Sequence, residues 1–430
     1  MHNHKEKKWV VAHFMVGNTY PYTLGDWIED IQLASHHGID GFALNVGRED
    51  WQKARVTDCY EAALRATKHF KLFLSFDMTS VPGSTEADVV LLCDYVSRFA
   101  AHPHQLLYHD KVLISTFAGE NALFGRANIE SAWAGVKAKL QAIAPVHLVP
   151  AFLIDPSRYP SIASMDGCFN WNGSWPTHLT PRSPREEIRC PRLETDHNHI
   201  RQLGGRTFMA AVSPWFFTHY GPDSWNKNWI YRGDDWLYVR RWEQLVAMRD
   251  NVDIVQIISW NDYGESHYIG PIKGAQPNSE AWVDGFPHDA WLRITKYFAD
   301  AFKTGLYPPI DRDRIFMWAR PHLREAHAPD RIPRPANWEL TEDAFWVVIF
   351  ATVPTVVELA SYRSEADART FEVPAGITKL SHAVDSTGSM SARMFREGVL
   401  VAECVPGRDG FHFQQGPKVY NFNAYCAMSS

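Results

Sequence analysis

From residue 9 to about residue 305 the chain alternates short apolar runs with longer stretches whose apolar residues recur at helical spacing. The runs Trp9–Val16, Gly41–Val46, Lys71–Met78, Lys111–Phe117, His147–Ile154, Gly167–Trp171, Thr207–Val212 and Ile254–Trp260 read as strands. Helical spacing fills the gaps over Leu24–His37, Trp51–His69, Glu86–His102, Asn128–Ile143, Ser183–Leu203 and Asp234–Arg249, and Asp289–Lys303 follows the last strand. Gly38, after His36 and His37, reads as a left-handed helix stop, and Ser84 or Thr85 as the cap of the helix that follows. Strands alternating with helices in this number predict a (β/α)8 barrel over residues 1–320. A doubly wound open sheet is disfavoured, because no Gly-rich phosphate loop follows the first strand.

After residue 305 the pattern changes. Pro308-Pro309 and the Pro-containing stretch 321–337 predict a linker or wrapping segment. Residues 338–430 break into short strand-like pieces: Ala344–Thr352, Val356–Tyr362, Thr370–Val373, Gly376–His382, Ser391–Arg396, Val399–Cys404 and Val419–Cys426. Gly, Pro, Asp and Ser punctuate them, the texture of an all-β sandwich.

A 45% hydrophobic composition agrees with a folded chain having a sizeable core. The net charge of -6 and the short, mixed basic runs give no reason to expect nucleic acid as a partner. No apolar run approaches the length of a membrane span, and no cofactor motif is seen. The first eight residues lead into too short an apolar segment for a secretory signal, which leaves an intracellular location open unless a signal has been removed. Among the six Cys, the placement of Cys168 with Cys190 and of Cys404 with Cys426 allows each pair to close a loop or stay free, and Cys59 and Cys93 read as buried thiols. No C-x-x-C or His-Glu-x-x-His occurs, so no metal site is expected. Seventeen Trp are the unusual feature, since aromatic faces stack on the C–H faces of sugar rings and leave the hydroxyls free.

In a (β/α)8 barrel the chemistry gathers at the C-terminal strand ends and the loops after them. Those ends carry His13, Asn45, Asp77, Glu120, Asp155, Asn170, Trp171, Trp215, Asp262 and Glu265, polar or aromatic groups after apolar strands. Strand three ends in Asp77, read as a carboxylate facing the mouth, with a turn cap as the plainer use. Strand eight leads into Trp260-Asn261-Asp262-Tyr263-Gly264-Glu265, two carboxylates beside aromatic rings. Glycosidic cleavage needs one carboxylic acid to protonate the leaving oxygen and a second carboxylate to activate water or attack.

These segments resemble a known family. Ala12–Asn18, Gly38–Asn45, Ser75–Met78 and Trp260–Ser266, in that order at strand ends, resemble family 71 of the glycoside hydrolases, the fungal α-1,3-glucanases or mutanases. The resemblance implies a (β/α)8 domain with a C-terminal β-sandwich, and endo-hydrolysis of cell-wall α-1,3-glucan with inversion. It carries Asp77, Asp262 and Glu265 over as the essential acids. Within that mechanism Glu265 is expected as general acid, Asp262 as base, and Asp77 as the residue orienting water or sugar. Inversion asks for carboxyl groups about 6.5–9.5 Å apart. An extended turn between Asp262 and Glu265 would allow that, and a helical turn would bring their Cβ atoms to about 5–6 Å. Subsites are expected to use His13, Asn45, Glu120, Asp155, Asn170, Trp171, Trp175, Trp215, Trp260, Asn261 and Tyr263. The sequon Asn172-Gly173-Ser174 lies among them, and its place near the cleft argues against an occupied glycan. The partner is then α-1,3-glucan or its oligosaccharides, bound by a monomer. The competing readings are a barrel glycosidase for another polymer such as mannan, and a non-catalytic carbohydrate-binding barrel.

Overall fold

The computed structural model describes residues 7–361 and 368–430; Tyr362, expected in a strand, and residues 1–6 lie outside the described residues. Eight parallel strands form the first part: β1 Trp9–Met15, β2 Gly41–Val46, β3 Lys71–Asp77, β4 Lys111–Phe117, β5 Val146–Ala151, β6 Gly167–Asn170, β7 Thr207–Val212 and β8 Ile254–Ile257. They pair in the order β5-β4-β3-β2-β1-β8-β7-β6, one curled, barrel-like sheet. Between β5 and β6, Asp166 makes the clip. Its N–H donates to the Leu148 carbonyl at 2.9 Å, and its carboxylate accepts from the Leu148 N–H at 2.8 Å.

Every residue of β2 and β7 is buried, because the sheet has an apolar cluster on each face. Val11, Ala43, Phe73, Leu113, Val149, Phe169 and Met209 fill its inside. Val10, Phe14, Phe42, Leu44 and Val212 face outward against helices such as Leu24–His36, Gln52–Ala66 and Asp289–Thr304. Gly38 sits at φ +80° just past the first helix, where a side chain would be strained. Thr85 caps the third helical segment in a reciprocal box with Asp88.

The expected helix Ser183–Leu203 is two helices, Arg185–Arg189 and Thr195–Leu203, because Pro191 cannot continue the first. The β5–β6 connection holds only the 3-10 turn Pro156–Ser161. The ladder of β8 ends at Ile257, short of Trp260. Beyond it the Ile258 and Trp260 N–H groups still donate to Val212 and His13 of the neighbouring strands, while the Ser259 N–H donates to the His267 carbonyl and the Ile269 N–H to the Ser259 carbonyl.

The C-terminal residues form two antiparallel four-stranded sheets. One runs Gly376–Ala383, Ala344–Ala351, Arg314–Ala319, Tyr425–Met428; the other Arg369–Val373, Thr355–Ala360, Ser391–Arg396, Val399–Cys404. Met317, Val347, Val357, Leu359 and Met394 share a core between them. The chain enters this region at Arg314, ahead of the stretch read as a linker. That stretch is a wrapping segment: the Asp330 carboxylate meets His219 Nε2 at 3.0 Å and the Tyr420 N–H at 3.0 Å, and Ala336 exchanges backbone bonds with Asn228 and Ile230. The outer face of the first sheet packs on the helix Asp289–Thr304, with Trp318 5.7 Å from Trp291. All six cysteines are free thiols, so of the two states open to Cys168 with Cys190 and Cys404 with Cys426 the unbridged one is present; Cys190 is exposed while Cys168 is buried. Among the described residues no helix is long and apolar enough to cross a membrane.

Candidate active site

The carboxylates of Asp262 and Glu265 meet at the C-terminal end of β8, each side chain less than one-fifth exposed. A tight turn places them. The Asp262 N–H donates to Ser259 Oγ at 2.8 Å, Tyr263–Glu265 form one 3-10 turn, and Ser266 at φ 61° reverses the chain. That reversal returns His267 onto the pair, with Nε2 3.2 Å from Glu265 and 3.9 Å from Asp262. Gly264 is required here by close approach. A Cβ at this position would lie 2.1 Å from the Tyr220 hydroxyl.

Three groups missing from the sequence reading, Lys227, Ser259 and His267, complete the cluster. Lys227, from the hairpin Phe217–His219/Asn228–Ile230 after β7, donates to the other Glu265 oxygen at 3.0 Å. Ser259 Oγ accepts the Asp262 N–H and lies 3.0 Å from His267 Nδ1. Its proton is free for Nδ1, which leaves Nε2–H to donate to Glu265. His267 stands two residues after Glu265 and was readable from that proximity. Nothing in the pattern around Lys227 marks it.

These neighbours drive the two carboxyls apart. Asp262 is pushed up to about 6 by burial and by the charge of Glu265. Burial also acts upward on Glu265, but the hydrogen bond from His267 and the charge of Lys227 outweigh it and hold the group down at about 2. Asp77 is raised, chiefly by burial, against hydrogen bonds from Thr79. Its Oδ1 accepts from Thr79 N–H at 3.0 Å and Thr79 Oγ1 at 2.6 Å, so it caps a turn as well as facing Lys227. The charges of Glu265, Asp262 and Asp77 all act on Lys227.

The remaining candidates divide by where they point. His13 is buried, 3.0 Å from Gln256 Nε2 through Nδ1, and held neutral at about 3 by burial and the nearby His267. Trp171 is half-buried with its ring edge-on to His13 at 4.8 Å. Asn45 closes β2 beside Met15. Asn170 gives its amide to Asp196 at 2.7 Å and to Thr195 at 3.0 Å. Trp175 lies within 5.8 Å of His267 and bonds the Trp215 carbonyl. Glu120 accepts from the Leu153 N–H, and the exposed Asp155 caps a turn through Ser157. Asn170, Glu120 and Asp155 make these bonds outside the cluster, and four further residues are held away from it. Trp215 bonds the Phe422 carbonyl in the outer core; Trp260 packs against Phe42. Tyr263 bonds Pro271, and Asn261 clamps both backbone groups of Met15.

Asp262, Glu265 and His267 each offer an atom within 4.8 Å of the others, the one such group of three among the described residues that could take a cation. No metal was expected from the sequence. The ammonium of Lys227 already supplies positive charge at Glu265.

The Glycosyl hydrolase family 71 profile matches residues 6–430. The chain belongs to this family. It is 37% identical to a glucan endo-1,3-alpha-glucosidase of Schizosaccharomyces pombe, over 98% of this chain and 94% of that one. A mutanase of Penicillium rubens is 33% identical, over 99% and 89%. An ascus wall endo-1,3-alpha-glucanase of Schizosaccharomyces pombe is 32% identical, over 97% and 96%. A solved GH99 endo-alpha-mannosidase from Bacteroides thetaiotaomicron superposes with a TM-score of 0.48 at 14% identity, over 70% of this family 71 chain and 99% of its own.

Proposed function

We propose that this family 71 chain hydrolyses α-1,3-glucosidic bonds within fungal cell-wall α-glucan, endo-acting and with inversion. One observation carries the chemistry: two largely covered carboxyls side by side, of which Glu265 holds hydrogen bonds from Lys227 and His267 that keep it low while burial and the charge of Glu265 raise Asp262. Pairs pushed apart in this way serve as acid and as permanent anion. The linkage is supported by family membership and by the activities in the names of the relatives. We read the curled sheet as a (β/α)8 barrel ending near residue 305, and the C-terminal sheets as a β-sandwich beginning at Arg314.

The electrostatics favour reversing the roles expected from the sequence. Asp262, the carboxyl that keeps its proton to higher pH, donates it to the leaving oxygen. Glu265, ionised and tied to Lys227 and His267, is a poor base but a strong negative charge for an oxocarbenium-like transition state. Its oxygen is also within 4.8 Å of that of Asp262, short of the roughly 6.5–9.5 Å that seats a water between acid and base. Asp77 suits the base role better. Burial raises its pKa, which makes it the stronger base, and its charge reaches Lys227 together with those of Asp262 and Glu265. We read His13, Asn45 and Trp171 as sugar contacts, and Trp215, Trp260, Asn261 and Tyr263 as supports of the loops.

Reducing ends should appear from α-1,3-glucan and not from β-1,3-glucan, starch or mannan, and NMR of the first product should show the β-anomer. Release from mannan alone would move the substrate, binding without release would make the protein a lectin-like barrel, and a first-formed α-anomer would remove Asp77 as base. A second expectation concerns pH. Activity needs Asp262 protonated, so it falls as pH rises through about 6. Glu265→Gln removes a charge that raises Asp262, so the alkaline limb moves to lower pH while the rate drops about 10²–10³-fold. An alkaline limb left in place would exclude Asp262 as the acid.

A further inference from the structure

Trp225 is 52% exposed, on the loop between the hairpin strands Phe217–His219 and Asn228–Ile230. Its ring rests on Tyr220, 4.6 Å away and inclined at 64°. Tyr220 is fixed in turn. Its hydroxyl donates to the Pro277 carbonyl at 3.1 Å, and it crowds Gly264, the residue between Tyr263 and Glu265. One ring therefore separates an exposed indole from the turn that carries both carboxylates. The same loop delivers Lys227 to Glu265, two residues beyond Trp225.

A second exposed ring stands on another part of the rim. Tyr20 is 69% exposed and packs edge-on against Trp51 at 5.3 Å and 90°. Tyr20 follows β1 through the 3-10 turn Val16–Thr19, and Trp51 follows β2, so both belong to the loops at the C-terminal strand ends. The loop after β2 is knitted to the Asp77 turn. Arg48 N–H donates to Ser80 Oγ at 3.2 Å, and Ser80 N–H donates to the Asp77 carbonyl at 3.0 Å.

A single exposed aromatic needs no explanation. Here two stand on catalytic-end loops, each braced by a second ring and each joined by a few contacts to a different catalytic carboxylate. From this arrangement we infer that Trp225 and the Tyr20–Trp51 pair are outer stacking subsites for α-glucan, on the Glu265 side and the Asp77 side of the cleavage point. The inference rests on the proposed substrate. Rigid, half-open rings offer the apolar face that a sugar ring covers, at little cost in side-chain freedom. Subsites at both ends of a cleft hold a long chain across it, which suits internal cleavage.

The test uses the full chain with α-1,3-linked oligosaccharides of graded length and the insoluble polymer. Trp225→Ala and Tyr20→Ala should each raise KM on long chains about three- to tenfold, with a smaller loss on the shortest cleaved substrate. Trp225→Tyr should restore most of it, and depletion onto insoluble glucan should weaken in parallel. Tyr307→Ala, an exposed ring (48%) after the helix Asp289–Thr304, controls for general loss of surface aromatic. Unchanged KM and depletion, or equal losses at every chain length, would overturn the subsites. If the wild type releases nothing from α-1,3-glucan, the substrate reading is what fails, and the same comparison is made on the polymer that it does cleave.

Discussion

Asp262→Asn is expected to lower cleavage of α-1,3-glucan about 10²–10⁴-fold, the range lost with a general acid. The loss should be far smaller on a glucoside whose leaving group departs without a proton, because the asparagine keeps the turn. Its backbone N–H still reaches Ser259 Oγ, and Glu265 keeps Lys227 and His267. The fold should gain where the chemistry loses. Burial lifts the folded-state pKa from 3.8 to about 6, so the stability of the neutral form is full below about pH 3.8 and is lost as pH rises through about 6. Part of that lift is owed to the charge of Glu265. The variant carries no such penalty. Its melting temperature should match the wild type near pH 4 and exceed it by a few degrees near pH 7. Equal loss on activated and natural substrates would assign the proton to another group, and a melting gap that does not open with pH would mean Asp262 is solvated.

The strands were legible because burial on both faces leaves continuous apolar runs. Gly41–Val46, Lys111–Phe117 and Thr207–Val212 have the bounds the pattern predicts. Strand ends were less legible. After Ile257 the apolar run Ile258-Ser259-Trp260 continues and still reaches Val212 and His13, but its other partners are the returning residues His267–Gly270, which no periodicity encodes. Arg314–Ala319 was missed because the Pro residues around it suggested a connector, whereas the partners that make it a strand lie at Ala344–Ala351 and Tyr425–Met428. In the site, acids at the ends of apolar strands stood out. Lys227 did not, because a loop places it and nothing local fixes its reach. The order of acid and anion was hidden for a different reason. It depends on which carboxyl has cationic neighbours, and one of those arrives only through the left-handed turn at Ser266.

Asp196→Ala should cost about 3–5 kcal/mol, the usual result of removing one partner from a buried ion pair. Asp196 and Arg241 are both fully buried, on the helices Thr195–Leu203 and Leu237–Ala247. One Asp196 oxygen accepts from Arg241 Nη1 and the other from the Asn170 amide at 2.7 Å, while Arg241 Nε donates to the Ala211 carbonyl at 2.9 Å. The pair thus ties two helices to the ends of β6 and β7. Alanine would strand the guanidinium, whose Nη2 already lacks an acceptor. It would also leave Asn170 held only by Thr195, and Gly173 is packed against that amide so closely that a Cβ there would lie 2.7 Å from its nitrogen. Because the next residue is Trp171, beside His13, the lesion should reach the cleft and weaken sugar binding in whatever fraction stays folded. Replacing both members, Asp196→Leu with Arg241→Met, should recover part of the stability that either single change loses, since no unpaired charge remains buried. It should not recover sugar binding in full, because Asn170 keeps only its bond to the Thr195 hydroxyl. Thermal melts of the three variants with oligosaccharide titrations read the two effects separately. A single variant that melts with the wild type would leave the pair without a bracing role.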